Sequence, residues 1–345
     1  MMKPAGKNLL FFAGYFMLAM PLLYYAYKYG TPEFGGSDVY SYYKLYATWD
    51  FKSVDSPFNQ RLISAWCIHV LHLSGIRYNT ETAISGSGMD PQVYFSALLF
   101  NFFCVVGTAV VIAKTAGKFL KTNATFNFTC GLVFLLGFGT LLFLVTALSD
   151  ALSVLMIAGI FYFYLAKSKW QYLILVAAIF QREYIFMVFS VVTAVDWLFR
   201  KPERKYYLTV LLVNVACFAG YIVCRKTIFF TPRYEHQMEI SGFLGNITRS
   251  IQDVGAYFRQ TFMLQNILFL YFAVVVYKLI RKMEFSKVHL WIILLLIAEI
   301  VVLSLLIGLG NNTGRYFYMG IPILVFYFAS EVKPFLDKPT VEDAR

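Results

Sequence analysis

Apolar runs separated by short polar turns constrain this 345-residue chain more than any other feature. Runs of about 20 apolar residues have the length that crosses a bilayer as helix. Ten such runs are read here, at about 9–27, 93–113, 126–148, 150–165, 170–180, 184–199, 206–224, 262–279, 290–309 and 316–329. Only 14% of the residues are charged and 59% are hydrophobic, where soluble domains carry about 25% charged residues. The expected fold class is therefore all-α: a polytopic transmembrane helical bundle of about ten spans, forming one domain over 1–345.

Basic clusters give the orientation. Lys3 and Lys7 precede the first run, and Lys114, Lys118 and Lys121 follow the second. Lys167 and Lys169, then Arg200, Lys201, Arg204 and Lys205, then Arg281, Lys282 and Lys287 close alternate runs. The positive-inside rule places all of these on one side, the cytoplasmic one. Both termini then lie inside, with a tail at about 331–345. Long outer loops cover about 29–92 and 225–262. The net charge of +11 is spent on these turns and on no basic stripe of a soluble module, so no nucleic-acid partner is expected.

Two stretches of the first outer loop read as interfacial helices. Ser37 is an N-cap candidate after Gly35-Gly36. Val39, Tyr42, Tyr43, Tyr46 and Trp49 then recur at helical spacing. The stretch 61–74 is apolar but spans only roughly 21 Å as helix. Run 170–180 is shorter still, roughly 16 Å against a bilayer core of about 30 Å, so it should border a polar cavity or sit where the bilayer is locally breached. His69 and His72 have i, i+3 spacing, which suits interfacial packing or a metal. The five scattered cysteines form no metal or redox motif, and no P-loop, GxGxxG or HExxH sequence is present.

The outer turns carry acids and arginines together: Asp38, Asp50 and Asp55 with Arg61; Asp150; Arg182 with Glu183; Arg233 with Glu235 and His236; and Arg315. A charge at bilayer depth costs on the order of 2.5–3.5 kcal/mol. Repeating that cost at several turns predicts one shared polar cavity open to the outer face. Blander roles exist for each residue. Asp38 suits the first turn of a helix, Asp150 a cap after Ser149, Arg182 and Glu183 a structural pair, and Arg315 a headgroup contact. Glu299 stands apart, in the middle of an apolar run.

The order of short motifs resembles a known family. Gly35-Gly36-Ser37-Asp38-Val39-Tyr40-Ser41-Tyr42-Tyr43 follows the first run, and Ser56-Pro57-Phe58-Asn59-Gln60-Arg61-Leu62 comes soon after. Then come Ser149-Asp150-Ala151-Leu152, Arg182-Glu183 and Gly314-Arg315-Tyr316. Together they resemble the GT-C superfamily of polytopic membrane glycosyltransferases, especially bacterial mannosyltransferase-like members. The resemblance implies sugar transfer from a polyprenyl-phosphate-linked donor to a hydroxyl of a glycan, lipid or protein acceptor. The site would face the periplasmic side of a bacterial inner membrane. It implies Asp38 as general base in an inverting displacement, with Arg315, Arg182, Arg61 and Arg233 on the donor phosphate. Asp150, Glu183, Asp50 and Asp55 are the supporting acids. The chain has a single acid where many members have two adjacent ones, since Val39 follows Asp38; Asp50 or Asp55 could share the role. A divalent metal stays open as cofactor, and no residue is assigned to one.

Two other classes compete. A multi-span transporter would carry inverted repeats and charges near the midplane; no repeat is found, and only Glu299 fits. An oligosaccharide polymerase or ligase would use arginines in a large outer loop, which suits Arg225, Lys226, Arg233, Arg249 and Arg259. A catalytic acid in the first outer loop separates the transferase from the polymerase or ligase.

Overall fold

The computed structural model describes residues 4–30, 37–55, 58–76, 90–145, 147–230, 266–283 and 318–336. Twelve α-helices lie there, and the fold is all-α. They are α1 Pro4–Tyr29, α2 Ser37–Thr48, α3 Leu62–Leu73, α4 Pro91–Thr115, α5 Ala124–Leu135 and α6 Phe138–Val145. The others are α7 Asp150–Leu165, α8 Trp170–Ala178, α9 Glu183–Phe199, α10 Arg204–Thr227, α11 Asn266–Ile280 and α12 Ile321–Leu336.

The centre of the bundle is α4. Its start is encoded locally: the Asp90 carboxylate accepts from Gln92 N–H at 2.8 Å, and Pro91 occupies the first turn. Both features suit a helix N-terminus, where free N–H groups need acceptors and proline loses nothing. Helices α1, α3, α5 and α7 pack around it. A core of fully buried tyrosines and phenylalanines, among them Tyr15, Tyr94, Phe102 and Phe134, fills the spaces between them. The outer helices expose apolar side chains instead, such as Leu9 and Met17 on α1 and Leu212 and Val223 on α10.

Among the described residues, three helical stretches are long and apolar enough to cross a membrane: Gly6–Tyr29, Pro91–Leu120 and Lys201–Thr227. A fourth is counted if α5 and α6 form one broken span. These long apolar helices point to a membrane protein. The count of ten goes further than that. Helices α7, α8 and α9 have 16, 9 and 17 residues and fall short on length. The run at 290–309, with Glu299, lies outside the described residues, as do most of 225–262 and the tail from 337.

Two boundaries differ from the hydropathy reading. The run at 126–148 is a pair of helices bent by 61°. Hydropathy sees only apolar residues there, whereas the break is made by Gly137 and Gly139. A Cβ on Gly139 would lie 2.5–2.7 Å from the buried Tyr318 ring. Thr140 repairs the broken ladder by donating to the Phe134 carbonyl at 2.6 Å, and its hydroxyl also meets that of Tyr318. The 170–199 region does form two helices, α8 and α9, with the break falling just before Arg182. Helices α2 and α3 appear where the interfacial stretches were expected, with α2 beginning at Ser37.

Candidate functional site

Charged side chains collect at both ends of the bundle, in different ways. Helix α7 runs from Asp150 at one end to Tyr164 at the other, roughly 21 Å away. Helix α9 likewise runs from Glu183 to Asp196. The Asp150 end carries the candidate site.

Three helices begin there: α3 after Arg61, α7 after Ser149 and α9 after Arg182. None of these three N-cap residues closes its helix with a side-chain hydrogen bond. Helix N-termini present unpaired N–H groups and the positive end of the peptide dipoles. Several converging on one place favour negative charge there, and the first turns of α7 and α9 supply it in Asp150 and Glu183.

Polar hooks hold the three ends together. Asn101 of α4 donates its amide to the carbonyls of Phe143, at 3.1 Å, and Leu148, at 2.8 Å. That fixes the turn presenting Asp150. Gln181 donates to the Ser149 carbonyl at 2.9 Å and accepts from Ser64 N–H at 3.4 Å. Gln60 donates to the carbonyls of Ile179, at 3.1 Å, and Tyr221, at 3.0 Å. Asn59 donates to the Phe229 carbonyl at 3.2 Å. All four amides are fully or nearly buried. A sequence reading passes over them because their partners are backbone carbonyls 32 to 170 residues away. A lone Asn or Gln inside an apolar run was the available signal.

The charged groups sit on this frame. Arg182 pairs with Asp150 at 2.5 Å, both buried. It also donates to the Tyr42 hydroxyl of α2 at 3.3 Å. Glu183 is held by the Tyr221 hydroxyl, which donates at 2.7 Å. Arg182 and Glu183, adjacent in sequence, are each held by a long-range partner as well as acting on one another electrostatically. Asp150 is likewise an ion-pair partner rather than only a cap.

Arg61 differs from Arg182. It is 4% exposed, and its guanidinium lies over the rings of Tyr42 and Phe58, 5.1 and 5.5 Å from their centroids. Its Nε and Nη1 are buried with no hydrogen-bond partner among the described residues. Arg61 lies between α1 and α4, outside the candidate spans. Burial, with Arg182 beside it, pulls its guanidinium down to about 10, so it stays a cation at neutral pH. Leaving a buried charged donor unsatisfied is costly, and the carboxylates of Glu183 and Asp150 offset part of that cost through space.

The other expected residues are spread more widely. Asp38 is the second residue of α2. Its register puts it one turn before Tyr42, on the same helix face. Its side chain lies outside the described part of the structure, as do Arg233, Glu235, His236 and Arg315 altogether. Asp50 is exposed and caps its own short turn, accepting from Lys52 N–H at 3.1 Å. Asp55 is half-buried, and its carbonyl accepts from the amides of Phe58 and Asn59. The structure therefore brings together Arg61, Arg182, Asp150 and Glu183, and leaves Asp50 to a local role.

No group of three His, Cys, Asp or Glu residues among those described is placed to hold a metal ion. His69 bonds the Tyr46 carbonyl through Nδ1 at 2.8 Å and stacks on Trp49. Comparison with known proteins returns no matching family model, no matching curated protein and no matching solved structure.

Proposed function

We propose that the chain is a membrane glycosyltransferase of GT-C type. It would move a sugar from a polyprenyl-phosphate donor to an acceptor hydroxyl at the outer face of a bacterial inner membrane. The observation that carries the reading is the Arg61 guanidinium. Its Nε and Nη1 are buried without a hydrogen-bond partner among the described residues, where three helix N-termini without side-chain caps converge. Such a setting suits the one part of a lipid-linked sugar that gains negative charge on transfer, the phosphate.

In this mechanism the Asp38 carboxylate accepts the proton of the acceptor hydroxyl. The freed oxygen attacks the anomeric carbon from the face opposite the phosphate. The bond from that carbon to the phosphate oxygen breaks, and the lipid phosphate leaves with the electron pair. Arg61, whose donors are already oriented, stabilises that charge as it develops. Arg315 and Arg233 belong to the same proposed clamp. Arg182, tied to Asp150 and Tyr42, holds the frame. No step is routed through a metal.

The test is a transfer assay with the purified full chain in bilayer discs, supplied with polyprenyl-phosphate sugars and candidate acceptors. Asp38→Asn should lower turnover by about 10²- to 10⁴-fold, the range of a general base, while melting stays as in the wild type. Asp50→Asn and Asp55→Asn should change it little. Transfer untouched by Asp38→Asn would remove the assigned base. Substrate-driven flux across vesicles without transfer would replace the enzyme reading by a transporter.

A further inference from the structure

At the opposite end, α4 runs into a π-helical turn, Ala116–Leu120, and then Lys121 turns the chain with φ +54°. A left-handed backbone is unusual for lysine, and π-turns are rare and recur at functional sites. The turn puts Lys114 and Lys118 on one face, a single helical turn apart. Both are exposed. Both reach the same ring, Tyr162 near the end of α7, with ammonium groups 4.8 and 4.9 Å from its centroid. Lys118 also lies 3.5 Å from the Tyr162 hydroxyl and over the Phe119 ring. Phe119 meets Tyr162 edge to face.

Neither lysine has an acidic partner among the described residues. The neighbouring acids are taken: Glu203 by Lys167, and Asp196 by Arg200 and Tyr164. Two cations sharing one ring repel each other, and an anion between them would relieve that. The pair sits in the last turns of the candidate span Pro91–Leu120, and the end of a span is where headgroups are expected. Aromatic rings beside basic side chains are the usual furnishing of that zone.

We propose that Lys114, Lys118 and Tyr162 form a binding site for an anionic phospholipid headgroup, whose phosphodiester bridges the two ammonium groups. The site is independent of the transferase reading and lies at the other end of the molecule from it.

The full chain would be purified in detergent, stripped of lipid, and titrated separately with phosphatidylglycerol, phosphatidylcholine and inorganic phosphate. Bound lipid would be read by native mass spectrometry, and thermal protection alongside. The wild type should retain phosphatidylglycerol in preference to phosphatidylcholine. Each lysine near the surface contributes roughly a fivefold gain, so Lys114→Gln with Lys118→Gln should lose about 30-fold in phosphatidylglycerol affinity. Replacing both lysines by arginine should restore it, which separates charge from folding. Equal retention of phosphatidylcholine, or a glutamine double variant that binds as the wild type does, would overturn the proposal. Protection by inorganic phosphate equal to that by lipid would overturn its assignment to a lipid.

Discussion

The two charged ends of the bundle use similar residues to opposite effect. At the basic end, Asp196 accepts from Tyr164 at 2.5 Å and pairs with Arg200 at 2.7 Å. Tyr206 donates to the Tyr164 carbonyl, Gln171 donates to Tyr206, and Tyr207 donates to Glu203. Glu203 also takes Lys167. The network ties α7, α8, α9 and α10 together, and its charged groups are matched. At the other end, Arg182 and Glu183 have partners, but Arg61 is buried with two donors unpartnered among the described residues, and three helix starts lack side-chain caps. A saturated network stabilises; an unsaturated buried one costs stability and is retained where something else binds. On the proposed reading, the difference separates a clamp from a site.

That contrast can be broken by substitution. The largest expected effect is Arg182→Ala, which strands Asp150 without its cation. Loss of one partner of a buried pair costs about 3–5 kcal/mol, so this variant should melt far below the wild type or fail to accumulate. Next comes Arg61→Gln. It should lower transfer by about 10²- to 10³-fold, as for a lost donor to a developing anion, yet leave melting unchanged or raised. A fall in melting as large as that of Arg182→Ala would make Arg61 structural and dissolve the contrast.

Tyr164→Phe works in the other direction. It removes a hydrogen bond to a buried carboxylate, a loss of about 1.5–3 kcal/mol, and should leave the transfer rate per folded molecule as it was. The smallest effect belongs to Lys167→Gln. Its pair with Glu203 is substantially exposed, and such pairs contribute about 0–1 kcal/mol, so a melting curve should hardly move.

The pH dependence sharpens the same point. As a phosphate ligand Arg61 would act only when protonated, and burial pulls its guanidinium down to about 10. Affinity for a lipid phosphate should hold from neutral pH to about 9 and fall as pH rises through about 10. Titration of Arg61→Gln should lack that limb.

Much of the mixed-charge end was legible in the sequence. Charges are so expensive beside apolar runs that Arg61, Asp150, Arg182 and Glu183 stood out individually, and the structure gathers them. Their pairing was not legible. Arg182 lies beside Glu183 in sequence but pairs with Asp150, 32 residues away, because the direction of a side chain at a helix start depends on which helices meet there. The 61° break between α5 and α6 was hidden for a related reason. Hydropathy averages over Gly137 and Gly139, and the Tyr318 ring that requires the second glycine comes from far along the chain. The clamp at Asp196 passed unnoticed because Tyr164 and Asp196 look like ordinary residues of apolar helices until they face each other.

The most direct measurement is binding of a polyprenyl phosphate, without sugar, to the full chain in bilayer discs, with the neutral polyprenol as control. The account predicts that the phosphate raises the melting temperature of the wild type, that the polyprenol does not, and that Arg61→Gln abolishes the gain. Equal protection by the polyprenol, or full protection of Arg61→Gln by the phosphate, would contradict it.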